Sequence, residues 1–283
     1  MKTHTAAFVM AGLASAGLAS AGLAEEPPRA GDKDQYHLGN PTPRRLMREI
    51  SPDRPDITES PRTVDAGHAQ VEMSFVERSW DDSGRAGSLS IAPFNIRIGL
   101  TNDIEAQVVV EPWTWIDPAD GPGNDGFGDL ALRIKFNLWG NDQGQTAAAV
   151  MPFIVLPTGS DGISTDRVEG GVVFPVSVAL SPRTNLGLMA ELDVAHDEEP
   201  GRTIADLVHS CVLSRELWED IGVYAEYAGA VRIDHPTRGY RASVGAGVTW
   251  SVSSDWIVDA GVVVGLTGEI ADATVFAGMT LRY

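Results

Sequence analysis

Residues 275 to 283 read VFAGMTLRY. Val275, Ala277, Met279, Leu281 and Tyr283 share one face at period two, and Thr274, Gly278, Thr280 and Arg282 share the other, with Phe276 the single large apolar residue among the polar set. Such alternation predicts a strand with one greasy and one polar face, running to an aromatic residue. A soluble domain more often finishes on loose polar residues, because a terminus is tied down only when it lies inside a sheet.

The same texture extends back to Ala69. Residues 69 to 283 divide into about twelve stretches of roughly ten residues, the length a tilted strand needs to cross a bilayer. The pattern places them near 69-78, 88-100, 104-113, 127-138, 145-156, 170-180, 185-195, 203-216, 221-232, 240-251, 256-266 and 273-283. Connections alternate between long polar segments (79-87, 114-126, 157-169, 196-202, 233-239, 267-272) and tight ones such as 101-103, 181-184 and 252-255. Short turns on one side and long loops on the other, with an even strand number, are the topology of an outer-membrane barrel. Side-chain parity agrees. Leu130, Leu132, Ile134, Phe136 and Leu138 lie opposite Asp129, Arg133, Lys135 and Asn137, and Trp256, Val258, Ala260, Val262 and Val264 lie opposite Asp259, Gly261 and Gly265. Trp250, Trp256 and Tyr240 fall at strand ends, where interfacial girdles belong. The faces of the fifth and eighth stretches stay open, since neither shows a clean polar side.

Composition restricts function. A net charge of -18 and a pI near 4.6 argue against nucleic acid as a partner, because phosphate neutralisation needs a basic surface. One cysteine, Cys211, excludes an internal disulfide and a CxxC site. Residues 1-24 have the basic start, small apolar run and alanine finish of a secretory signal peptide. Residues 25-68, rich in Pro and charge, form an irregular periplasmic N-terminal arm, and 69-283 the barrel. Closure requires the last strand to pair with the first, leaving no edge in lipid. Tyr283, with Met279 and Leu281 on its face, then serves as a signal to the barrel assembly machinery. Outer-membrane lipid and lipopolysaccharide are the expected surroundings.

Two runs carry a resemblance. SPDRPDITESPRTVDAGHAQVEMSF from Ser51, and FGDLALRIKFNLW followed by GQTAAAVMPFIVLPTGS, resemble the opening segment, the G-D-L strand and the L-P-T-G strand of the outer-membrane "MetA-pathway of phenol degradation" family. That resemblance implies a barrel and transport of small molecules, aromatic or hydrophobic compounds among them.

About twelve strands enclose a narrow or plugged lumen. By parity it receives Glu72, Arg97, Glu105, Glu111, Asp129, Arg133, Lys135, Glu191, Asp193, Asp206, Glu226, Arg241, Asp259 and Arg282. With acids in excess, these read either as a permeation path favouring cations or neutral solutes, or as pairs bridging the wall. In the arm, Asp53, Arg54, Asp56 and Glu59 form a plug or belong to a tether. Residues 51 to 61 are expected to dock at the periplasmic mouth, Arg54 pairing with a lumen or rim acid and Pro52, Pro55 and Pro61 fixing an extended path.

The rival classes are a barrel lipid hydrolase and a structural barrel with a sealed lumen. His209-Ser210-Cys211 is the one suggestive cluster, but neighbours on a strand face opposite ways, so His209 does not activate Ser210. No catalytic residue is assigned and the protein is expected not to be an enzyme. Asp197-Glu198-Glu199, with Asp117, Asp120, Asp125, Asp161 and Asp166, reads as solvated loop rather than metal site, and no metal or cofactor is expected.

Overall fold

The structure, a computed structural model, describes residues 33–81, 86–196, 203–233, 239–268 and 270–283. The expected signal peptide, the start of the arm and Asp197-Glu198-Glu199 lie outside them. Fifteen strand segments follow in chain order: β1 (Ala69–Trp80), β2 (Gly87–Ile91), β3 (Phe94–Gly99), β4 (Ile104–Val110), β5 (Trp113–Asp117), β6 (Asn124–Gly126), β7 (Leu130–Trp139), β8 (Thr146–Leu156), β9 (Glu169–Ser181), β10 (Thr184–His196), β11 (Thr203–Glu216), β12 (Ile221–Arg232), β13 (Arg241–Ser253), β14 (Trp256–Gly265) and β15 (Ala273–Arg282). The pairs β2–β3, β4–β5 and β6–β7 each make one interrupted crossing, so the wall is a closed antiparallel barrel of 12 strands, sealed by β15 on β1. At the seam Gln70 pairs with Arg282, and the Tyr283 amide donates to the Ala69 carbonyl at 2.8 Å. Closure leaves no open seam between the first and last strands, which is what lets strands stand in hydrocarbon; β6, at the long-loop end, pairs with β5 alone among the described residues.

The outside is apolar as the alternation requires. Leu132, Ile134, Phe136 and Leu138 are exposed together on β7, while Arg133 and Lys135 between them are buried. Trp139, Trp218, Trp250, Trp256 and Tyr283 stand exposed near the short-turn end, and Trp113, Trp115 and Phe127 cluster toward the long-loop end, giving an aromatic belt at each.

Two irregularities shift what the sequence pattern predicts. Ser74 pairs with Gly278 and Val76 with Ala277, so Phe75 is an extra residue. This bulge turns Phe75 and Val76 both outward and brings Glu77 to the lumen. Across from it, Ala92 adopts a left-handed backbone (φ 56°), an uncommon state for alanine, where β2 breaks into β3. The fifth and eighth stretches looked unpatterned because β8 and β11 present apolar residues inward as well. Met151, Val173, Met189, Val208 and Ala228 form a core inside the barrel around Ile57 of the arm, with Phe153 against it. The lumen is therefore not polar throughout, as the alternation had suggested: one side is greasy.

Candidate functional site

The arm enters the barrel. Its outer leg crosses the short-turn rim, where Leu38 donates to the Leu100 carbonyl and Arg48 grips the Asn102 carbonyl and side chain at 2.8 and 2.7 Å. Lys33 pairs with Asp65 at 3.0 Å and Asp142 at 2.6 Å, clamping the leg that goes in to the leg that returns. Gly67 (φ 76°) makes the final turn into β1 against Pro41, where a Cβ has no room. Between the legs, residues 51 to 61 lie within the lumen rather than only at its mouth, and Asp53, Asp56, Thr58 and Glu59 are buried.

Each anchoring contact joins a wall residue to the arm. Asp53 lies 2.6 Å from Lys135 and 3.2 Å from Arg97, accepts from Gln107 at 2.8 Å, and its amide donates to Glu72 at 3.0 Å. Arg97 also pairs with Glu72 (2.8 Å) and Glu105 (3.0 Å), and Glu105 accepts from the Val64 amide at 2.6 Å. Arg54 holds Asp259 in a fork, Nε to Oδ2 at 2.9 Å and Nη2 to Oδ1 at 2.6 Å, and donates to Ser74 Oγ at 2.8 Å. Gly278 makes this possible, since a Cβ there overlaps the Arg54 guanidinium. Glu59 pairs with Arg133 at 2.7 Å. Glu226 accepts three bonds from one turn of the arm: the amides of Ile57 and Thr58 at 2.8 Å each and Thr58 Oγ1 at 2.6 Å. Charge-assisted bonds of this kind are strong where water is excluded.

Asp56 differs. It is buried, yet neither carboxylate oxygen has a hydrogen-bond partner from another residue among the described ones, and burial followed by the nearby Glu226 charge raises its carboxyl well above the usual 3.8. Burial and the Asp53 charge raise Glu59 as well, whereas Arg97 and Lys135 hold Asp53 below its usual value against the opposing effect of burial.

Eight of the residues named from parity thus meet the arm: Glu72, Arg97, Glu105, Arg133, Lys135, Glu226, Asp259 and, at the rim, Arg282. A second group lies toward the long loops. Asp206 pairs with Arg241 at 2.6 Å and Arg232 at 2.9 Å, while Glu191 and Asp193 share the inward face of β10, and Glu111 lies beside Gly128. Two depart from the expectation. Asp129 accepts from Gly159, Ser164 and Thr165 and so braces the 157–168 loop, because β6 and β7 are interrupted there and the parity count fails. Arg282 binds Asp255 at 2.8 Å and the Arg48 carbonyl at 2.7 Å at the short-turn rim. The arm's partners Gln107 and Ser74 were missed because neutral polar side chains give no signal beyond their face, and Glu77 because of the bulge. The consecutive apolar pair Phe75-Val76 before Glu77 is the trace of that bulge in the sequence.

In the β11 cluster, Ser210 faces in and meets Thr58 Oγ1 at 2.7 Å. His209 faces out and meets the Tyr240 hydroxyl at 2.7 Å, and Cys211 is exposed on the same side.

The fold is similar to solved outer-membrane barrels. The COG4313 outer membrane channel from Pseudomonas putida F1 matches with a TM-score of 0.56 and 8% identity over 76% of this chain and 94% of that one. The NanC porin matches with a TM-score of 0.50 and 9% identity over 76% of this chain and 99% of that one. At such identities the likeness concerns the fold. No curated protein sequence matches the chain. The model of the family described as "Putative MetA-pathway of phenol degradation" matches residues 52–283, from the arm's lumenal segment through the last strand, and the chain belongs to that family.

Proposed function

We propose that the protein is an outer-membrane channel or transporter for small molecules, held closed by its own N-terminal arm. One observation carries this reading: the lumen is filled by a segment outside the sheet, bound through side chains. Wall side chains by themselves fill a barrel of about eight strands; twelve enclose more room than that, and here the arm takes it up. Here the filler can leave without breaking one bond between strands, and the wall charges it abandons are those suited to a hydrated path.

Beyond the arm, Glu111, Glu191, Asp193 and Asp206 outnumber Arg241 and Arg232, which disfavours anions and leaves cations or neutral solutes. The family description points to aromatic compounds, and the apolar flank around Met151 and Phe153 suits a hydrophobic body. We read the protein as a non-enzyme, since His209 and Ser210 stand on opposite sides of the wall. The apolar belt fits lipid and lipopolysaccharide as surroundings, and exposed Tyr283 fits recognition by the assembly machinery.

Conductance in planar bilayers tests the reading. The full-length barrel should be nearly silent, and deletion of residues 25 to 61 should produce steady conductance from a barrel that still shows heat-modifiable mobility. A folded, arm-deleted barrel that stays silent refutes the channel.

A further inference from the structure

On the long-loop side of the seated arm lies a cavity of about 70 Å³, bordered by residues that also anchor the arm. Its floor is Arg54 and Pro55 of the arm, and Asn95, Arg133, Glu77 and Glu111 stand in its walls. Resting on the channel reading, we propose that it binds the hydroxyl end of small neutral solutes that join a hydroxyl to a compact apolar body, phenols among them.

Hydrogen bonding selects the head group. Arg133 Nε, a donor, and Asn95 Oδ1, an acceptor, have no hydrogen-bond partner among the described residues, and both side chains are more than nine-tenths buried. A buried polar atom left unpaired destabilises its site until something supplies the bond. A hydroxyl both donates and accepts, whereas a carboxylate only accepts and an ammonium only donates. Charge then excludes the anion a second time. Arg54 is paired with Asp259, and even with Glu59 protonated Arg133 offsets only one of Glu77 and Glu111, which are in no ion pair among the described residues. The cavity therefore faces a solute with net negative charge.

Size and shape select the body. Seventy cubic ångströms holds roughly two waters at about 30 Å³ each, enough for a head group and the first atoms behind it. Beside it stand Val109 and Phe276, the aromatic that interrupts the polar face of the last strand. Phe276 already carries the Arg54 guanidinium 5.9 Å from its ring centre, so an apolar body against Phe276 touches the residue that ties the arm to Asp259.

Titration of the full-length protein in lipid nanodiscs with phenol, toluene and benzoate, followed by saturation-transfer NMR, tests this. Phenol should bind about tenfold tighter than the other two, the factor set by one ordinary hydrogen bond. Asn95→Leu should remove that advantage and leave toluene unchanged, with folding checked by heat-modifiable mobility. Glu111→Gln supplies an independent reading: benzoate binding should rise while phenol binding holds. Equal binding of phenol and toluene, full phenol affinity in a folded Asn95→Leu barrel, or benzoate unaffected by Glu111→Gln overturns the assignment. An arm-deleted barrel that conducts, with no phenol binding to the full-length protein, refutes the cavity alone. Phenol binding with a silent arm-deleted barrel refutes the channel alone.

Discussion

Replacing Arg54 with Ala tests the seated arm at its most localised contact. When the arm is in place, the Arg54–Asp259 fork is almost dry, with Asp259 at 1% side-chain exposure. When the arm leaves, both groups return to water, so the substitution acts on the closed state. Removing one partner of a buried, hydrogen-bonded ion pair costs about 3–5 kcal/mol, chiefly because the other charge stays behind uncompensated. At 1.4 kcal/mol per factor of ten, the open population should rise by roughly two to three and a half orders of magnitude, up to saturation. Single-channel recording should show this as a large rise in open probability with the unitary conductance of the arm-deleted barrel. Adding Asp259→Asn removes the orphaned charge and should bring the open probability back at least partway. An Arg54→Ala barrel as silent as the parent refutes the reasoning, as does a leak that Asp259→Asn leaves untouched.

Ile57→Ala should open the barrel too, since truncating a buried isoleucine costs about 2–5 kcal/mol and Ile57 is the arm's contribution to the lumenal core; unchanged leakage in a liposome-swelling assay counts against that packing. Closure should depend on pH from both sides. Asp56 and Glu59 have raised carboxyls in the seated arm, so their stabilisation is present below the ordinary values of 3.8 and 4.5 and is lost as pH rises through the raised ones. Asp53 is lowered, so its contribution holds above 3.8 and is lost as pH falls through the lowered value. Conductance should therefore be least in mild acid and climb toward neutral pH, and Asp56→Asn should flatten the climb; a flat profile in the parent sinks this account. Tyr283→Asp should reduce the yield of heat-modifiable barrel far more than Thr280→Ala, because Tyr283 is exposed on the outer face and Thr280 is buried within; equal yields remove the role assigned to the terminal aromatic.

The sequence alone determined the strands, most of their faces and the closed topology, because a period-two pattern reports, residue by residue, which side meets lipid and which meets the lumen. Arg133 and Lys135 between the leucines of β7 are legible for that reason. Arg54's need for an acid partner was legible as well, since a guanidinium in a dense motif seldom stays unpaired. Tertiary structure decided which acid. Asp259 lies 205 residues away, and no local pattern encodes a meeting brought about by ring closure. It also decided how deep the arm sits, that β8 and β11 turn apolar faces inward to receive Ile57, that the Phe75 bulge delivers Glu77 to the lumen, and that the breaks around β6 send Asp129 to a loop. Alternation records the solvent a side chain faces. When that solvent is another stretch of the same chain, the record is of an apolar or charged neighbour, and its identity exists only after the barrel has closed around it.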